Sequence, residues 1–200
     1  MSPTTHVKYI TGIAYKRLWA VLRLKANGVV NKDIVKFFNM KVRSVLESSC
    51  PVFFSMLSEG DLEMLERPVK IPVKILQGKN YEDYKFGLAA LAPLGLTSMK
   101  LRLEKLTLAW ALKAASDQKL STLLPLNPPG LNNLRNRELY HVPHTHTERY
   151  KSSPLVALPH MLNEYYNNLT ADLLAHPAAG LLLPPAVAAR LALPTALPDF

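Results

Sequence analysis

The distribution of proline constrains this chain more than any other feature. Sixteen of its 200 residues are proline, against only eight glycines, and most of the prolines lie after Leu124. Proline fixes φ and has no backbone N–H, so dense proline disfavours the interiors of helices and strands. We therefore predict that residues 125–200 form a long, irregular, Pro-rich tail with one possible short helix around Met161–Leu174.

The tail also carries apolar residues, which would be poorly solvated if the segment stood free in water. A long segment without secondary structure is uncommon inside a compact domain. The tail is therefore expected to lie along another molecule, which predicts that the chain belongs to a larger assembly.

Residues 1–66 are predicted to form a basic helical region that contains a helical hairpin. Apolar residues recur at helical spacing within Ile13–Lys25. A second helix is predicted over Lys32–Ser48, with Asn31 as its N-cap. Ser58–Glu66 is predicted to be a short acidic helix whose carboxylates face solvent.

Residues 67–124 are predicted to form a small α/β body, which makes the fold class α+β but mainly helical. Apolar and other residues alternate over Val69–Ile75 and again over Met99–Leu103, a pattern typical of half-buried strands. A helix near Tyr81–Ala92 would connect the two strands. This arrangement predicts a strand-helix-strand crossover.

Positive charge is concentrated near the N-terminus. The net charge is +9, and residues 1–50 contribute +7 of it because only Asp33 and Glu47 oppose nine Lys and Arg residues. Such a segment suits phosphate backbones, anionic lipid or an acidic protein surface. The predicted contacts with nucleic acid or another polyanion are Lys16, Arg17, Arg23, Lys32, Lys36, Arg43, Arg135, Arg137, Arg149 and Lys151.

No motif in the sequence indicates catalysis, a cofactor or a metal. His141, His144 and His146 have ligand chemistry, but they lie in a predicted loop without the carboxylates that normally orient metal-binding histidines. The lone cysteine, Cys50, excludes an internal disulfide and is predicted to be a buried, unreactive thiol. We therefore predict that the protein is not an enzyme.

The stretch AYKRLWAVLR resembles the opening of the LYR family of small mitochondrial helical proteins. The similarity consists of Tyr15 followed by a basic residue. Ala14 stands where the family motif has leucine, and Lys16 stands where it has arginine. The resemblance implies a small helical mitochondrial protein and assigns no residue a function.

These features predict a non-catalytic structural subunit of a large assembly. The leading hypothesis is an organellar, mitochondrial ribosomal protein that contacts rRNA and neighbouring protein subunits. The alternative is an accessory subunit of a mitochondrial respiratory or ATP-synthase complex. The mitochondrial location is favoured because residues 1–32 are basic and contain no acid. No apolar run reaches the roughly 18–20 residues that span a bilayer.

Overall fold

The computed structural model describes residues 2–77, 91, 94–127 and 138–175. The chain forms two compact units, Met1–Thr107 and Leu108–Phe200. The described residues are mostly helical and contain no strand, so the predicted α+β class with a strand-helix-strand body is wrong. Nor do they contain a helix that is long and apolar enough to cross a membrane.

Helices build the first unit. They are α1 (Pro3–Ala26), α2 (Asn31–Phe38), a π-helix (Asn39–Arg43), α3 (Ser44–Leu46), α4 (Cys50–Phe53), a 3₁₀ turn (Phe54–Met56), α5 (Glu59–Gln77) and the first part of α6 (Met99–Ser116). α1 packs along α5 and also against α2, the π-helix and α3. The basic helical hairpin is therefore part of one apolar core with α5.

α1 begins at Pro3, well before the predicted start at Ile13. The hydroxyl of Ser2 accepts a hydrogen bond from the backbone N–H of Thr5 (3.3 Å), and Pro3 occupies the first turn. Serine as N-cap followed by proline is a favourable start to a helix. The longer helix buries a continuous side that comprises Val7, Ile10, Thr11, Ala14, Leu18 and Val21.

The predicted strand at Val69–Ile75 is wrong, because this segment lies within α5. The residues that are buried recur about one turn apart, and they are Leu65, Val69, Val73 and Leu76. The alternating residues Ile71 and Ile75 also pack, partly buried, against the same core. A wide apolar helical face thus produces the same short alternation as a strand. Burial of this face offsets the backbone hydrogen bonds that the internal prolines of α5 remove.

The second predicted strand, Met99–Leu103, is also wrong and forms the start of α6. In a strand, Leu101 would share a face with Met99 and Leu103. Met99 and Leu103 are fully buried, whereas Leu101 is 42% exposed. The pattern of burial in this segment therefore follows the helical repeat of about 3.6 residues and not the two-residue repeat of a strand. The predicted connecting helix near Tyr81–Ala92 lies outside the described residues, except for Leu91.

The second unit contains the end of α6, a 3₁₀ turn (Leu120–Leu123), α7 (Glu148–Lys151) and α8 (Pro154–Ala175). The short helix predicted around Met161–Leu174 is confirmed, but α8 begins earlier, at Pro154, so the predicted irregular tail is wrong over residues 154–160. Its buried residues recur at helical spacing and comprise Leu158, Leu162, Tyr166 and Leu169. Proline at the start of a helix is favourable, so the density of proline was a poor guide to this segment.

An asparagine on α8 fixes the extended segment that precedes α7. Leu126 and Tyr140 form an isolated antiparallel bridge. The buried side chain of Asn163 accepts a hydrogen bond from the Tyr140 N–H (2.7 Å) and donates one to the Tyr140 carbonyl (3.0 Å). One side chain therefore satisfies both backbone groups of a buried residue.

Replacing this amide should destabilise the protein. We expect Asn163→Ala to lower the free energy of unfolding by about 1–3 kcal/mol, because the buried Tyr140 N–H loses its partner and the Tyr140 carbonyl keeps only a long hydrogen bond from Asn127 Nδ2 (3.4 Å). Asn168→Ala, at an exposed position on the same helix, is the matched control and should change little. Chemical denaturation of both variants measures the difference, and equal effects would contradict the assigned role of Asn163.

Candidate polyanion-binding surface

The side of α1 opposite the core mixes cations with aromatic rings. We call this surface the α1 outer face, and it comprises Lys8, Tyr9, Gly12, Lys16, Trp19 and Arg23, all of which are exposed. Tyr9 is 63% exposed and Trp19 is 60% exposed. Residues three and four apart are neighbours on a helix, so these side chains form one continuous strip.

The strip has excess positive charge because α1 contains no acid. No carboxylate lies among residues 1–32. Within the part of the chain that the structure describes, Lys8 and Lys16 make no salt bridge. The guanidinium of Arg23 lies 4.3 Å from the centroid of the Trp19 ring, a cation–π contact at an exposed site. The strip thus presents cations and flat rings together to a partner.

Four of the six residues of the α1 outer face were absent from the sequence-based site. Lys8 and Gly12 precede the predicted helix start at Ile13, so the prediction placed them outside α1. The sequence Ser2–Pro3, a favourable start to a helix, was the signal that could have placed Lys8 and Gly12 within α1. Tyr9 and Trp19 are also missing from that prediction, which selected charged residues only.

The remaining predicted cations of the hairpin have different surroundings. Arg17 is exposed and its Nη1 donates a hydrogen bond to the Lys41 carbonyl (2.6 Å), which links α1 to the π-helix. Lys32 is exposed on α2. Lys36 lies 3.6 Å from Asp33, but both side chains are well exposed, so this pair contributes little to stability.

Arg43 lies inside the first unit, away from these exposed cations. Only 7% of its side chain is exposed. Sequence spacing had placed it with Lys32 and Lys36 on one face of a regular α-helix. The π-helix Asn39–Arg43 takes up one additional residue per turn, which rotates the succeeding residues by about 100°. That rotation carries Arg43 from the outer side of the helix to the inner side.

Arg43 is held there by a network of polar contacts. Its Nε donates to Glu47 Oε1 (3.0 Å), and its Nη2 donates to both the carbonyl and the hydroxyl of Thr97 (2.9 Å each). Glu47 also accepts from Nε of Arg102 (2.9 Å). Burial lowers the pKa of Arg43, and the carboxylate of Glu47 opposes that shift. Arg43 therefore joins α3 to the start of α6 as a structural residue.

The tail cations fall into two groups. Arg149 and Lys151 are exposed on α7, where Lys151 lies 3.8 Å from Glu148. Arg135 and Arg137 lie outside the described residues. The structure therefore brings Lys16, Trp19 and Arg23 together on one helix and leaves the α7 pair in the other unit.

The histidine-rich stretch leads into α7. Residues 141–147 have no regular secondary structure, and the rings of His144 and His146 lie 4.7 Å apart. Over the residues that the structure describes, no group of three His, Cys, Asp or Glu could hold a metal ion. The stretch contributes no coordination geometry.

Cys50 is buried, as predicted. Its thiol donates to the Leu103 carbonyl (3.3 Å) and lies 3.2 Å from the Thr107 hydroxyl. Burial raises the pKa of the thiol. The thiolate needed for nucleophilic chemistry is therefore disfavoured.

A groove of about 430 Å³ between α5 and α6 is lined by four glutamates. Glu59 pairs with Lys100 (3.6 Å), and Glu63 pairs with Arg67 (3.3 Å). Glu66 Oε2 accepts a hydrogen bond from the Met99 N–H (2.6 Å) at the first residue of α6. These three carboxylates have partners within the chain, and two of them connect the two helices.

Comparisons of the chain with protein-family models, with curated proteins and with solved structures found no match. The short resemblance to the LYR family therefore has no support from a family match. The candidate surface rests on the chemistry of the α1 outer face alone.

Arg43 should be required for stability. We expect Arg43→Ala to lower the free energy of unfolding by about 3 kcal/mol, because it removes one member of a buried ion-pair network. Lys36→Ala, at an exposed position on α2, should change it by less than about 0.5 kcal/mol. Urea denaturation followed by far-UV circular dichroism measures both. A small effect of Arg43→Ala would contradict the structural role of Arg43 and favour the predicted role as a polyanion contact.

Glu66 should make stability depend on pH. Burial raises the pKa of this carboxyl above its usual value of 4.5, against the opposing hydrogen bond from Met99. The protonated carboxyl is thus favoured in the folded state, so its contribution is lost as pH rises through the folded pKa. Gln resembles that protonated form and retains an oxygen for the Met99 N–H. We therefore expect Glu66→Gln to be more stable than the natural protein at pH 7, with the difference vanishing below about pH 4.

Thermal unfolding of the two proteins across this pH range measures the effect. Glu63→Gln, an exposed position one turn earlier, is the control and should show no such trend. A Glu66→Gln protein that is less stable at pH 7 would contradict the assigned shift.

Proposed function

We propose that this protein is a non-catalytic structural subunit of a large ribonucleoprotein assembly and that it binds RNA through the α1 outer face. The observation that carries the proposal is the interleaving of three cations with two exposed aromatic rings on one acid-free helix. Cations pair with phosphates, and aromatic rings stack on unpaired bases. Single-stranded RNA offers both partners at once.

The way α1 packs favours RNA over a membrane surface. A helix that lies on a bilayer keeps a broad apolar face for the lipid. In α1, that apolar face contacts α5 and the hairpin, as described above. Beside its cations, α1 exposes three aromatic rings, those of Tyr9, Tyr15 and Trp19, and one large aliphatic side chain, Leu22. This composition suits stacking better than insertion among acyl chains.

The assembly that we propose is an organellar, mitochondrial ribosome. The acid-free N-terminal region supports this location. An accessory role in a mitochondrial respiratory or ATP-synthase complex is the competing function. Binding to anionic lipid in preference to RNA would favour that alternative.

The salt dependence of RNA binding tests the proposal. Each phosphate contact on a single strand contributes about −0.7 to the slope of log K against log salt concentration. The triple variant Lys8→Gln, Lys16→Gln, Arg23→Gln should therefore bind a labelled single-stranded RNA at least about tenfold more weakly. Its slope should also be smaller in magnitude by about 2, because three contacts are removed. Fluorescence anisotropy of the full chain at several salt concentrations gives both values.

A matched control separates this face from general positive charge. Lys105→Gln, Lys113→Gln, Lys119→Gln removes the same charge from other exposed positions. This variant should keep most of the affinity and the slope. Equal losses in the two variants would contradict a specific role for the α1 outer face. Tighter binding to phosphatidylglycerol vesicles than to RNA would contradict the RNA assignment.

A further inference from the structure

Gly12 is the one position of the α1 outer face that has no side chain. It lies in the interior of α1, where glycine is less favourable than any residue except proline. Apart from the adjoining backbone of α1 itself, a Cβ added at Gly12 would have no atom of the described chain within 4 Å. The internal packing of the chain therefore does not require glycine at this position.

The surroundings of Gly12 form a defined gap in the strip. Lys8 and Lys16 lie one turn before and one turn after it, at positions i−4 and i+4. Tyr9 and Tyr15 occupy i−3 and i+3, and all four residues are exposed. On a helix these are the nearest neighbours of Gly12. The helix backbone is thus uncovered between two lysines and bordered by two tyrosines.

We propose that Gly12 is the point of closest approach between α1 and the sugar–phosphate backbone of the bound RNA. Glycine permits close approach of another backbone because it has no Cβ. Lys8 and Lys16, about 12 Å apart along the helix axis, pair with phosphates on either side of the gap. Tyr9 and Tyr15 border it and contact the adjacent sugars or bases. This proposal rests on the proposed function and adds a steric requirement to it.

The proposed need for glycine at position 12 predicts that a side chain there has opposite effects on the stability of the free protein and on its affinity for RNA. Alanine at position 12 should raise the melting temperature by about 2–4 °C, because it favours the helix and meets no clash in the free protein. The same methyl group should displace the RNA backbone. Glycine would then be retained at this position because of the partner, at a cost to the stability of the free chain.

A series of substitutions in the full chain tests this with the same labelled single-stranded RNA. We expect Gly12→Ala to bind the RNA about fivefold more weakly than the natural protein. Gly12→Gln should bind more weakly still, because a larger side chain at position 12 clashes more with the RNA backbone. Gly12→Lys adds a cation and should nevertheless fail to tighten binding. Gly60→Ala is the matched control, because a Cβ there would lie at an ordinary 3.8 Å from the Ser58 hydroxyl, and it should leave the affinity unchanged.

The outcomes distinguish the two proposals. One outcome is that the natural protein binds RNA and that Gly12→Ala and Gly12→Gln bind it as tightly as the natural protein does. The close approach at Gly12 is then overturned, while the proposed function stands. Tighter binding by Gly12→Lys would show that charge alone governs this face, and would also overturn it. Failure of the natural protein to bind RNA at low salt would overturn both.

Discussion

The packing of α1 against α5 is the interaction on which the rest of the structure depends. Together with the contacts of α1 with the hairpin, it buries one side of α1, which includes Val7, Ile10, Ala14 and Leu18. Each fully buried aliphatic side chain of Val, Leu or Ile size contributes about 1.5–3 kcal/mol. A helix whose inner side is fixed in this way has its outer side fixed as well. The packing of the inner side of α1 therefore sets the orientation of the α1 outer face. The cations and rings of the outer face take no part in that packing.

The π-helix at Asn39–Arg43 divides the basic residues of the hairpin into two classes. It turns the side chain of Arg43 toward the interior of the first unit, where Arg43 donates hydrogen bonds to Glu47 and Thr97. The cations of α1 and α2 stay outside and keep their charge available to a partner. One additional residue in a helical turn thus makes Arg43 a structural residue and removes it from the exposed basic residues of the hairpin.

Sequence patterns predicted the helical hairpin, because amphipathic spacing over two or more turns is a strong signal. The burial of Cys50 was also predicted, whereas only Lys16 and Arg23 of the α1 outer face were among the predicted contacts. Short signals were less informative. At Val69–Ile75 a wide apolar helical face imitated strand alternation, and at Met99–Leu103 three apolar residues were too few to show their period. The burial of Arg43 could not be predicted, since a π-helix has no clear sequence signature. The role proposed for Gly12 could not be inferred from the sequence, because it depends on the true start of α1 and on the open space around a Cβ at that position.

The apolar core holds α1 in place, and the exposed strip on its outer side suits RNA in a larger particle. Sedimentation of the tagged natural protein from gently lysed cells, with and without ribonuclease treatment, tests this proposal most directly. We expect the protein to sediment with a particle far larger than its own 22.3 kDa, and ribonuclease to shift it to lighter fractions. Sedimentation as a free chain, or with a large particle that ribonuclease leaves intact, would show that the protein is not part of a ribonucleoprotein.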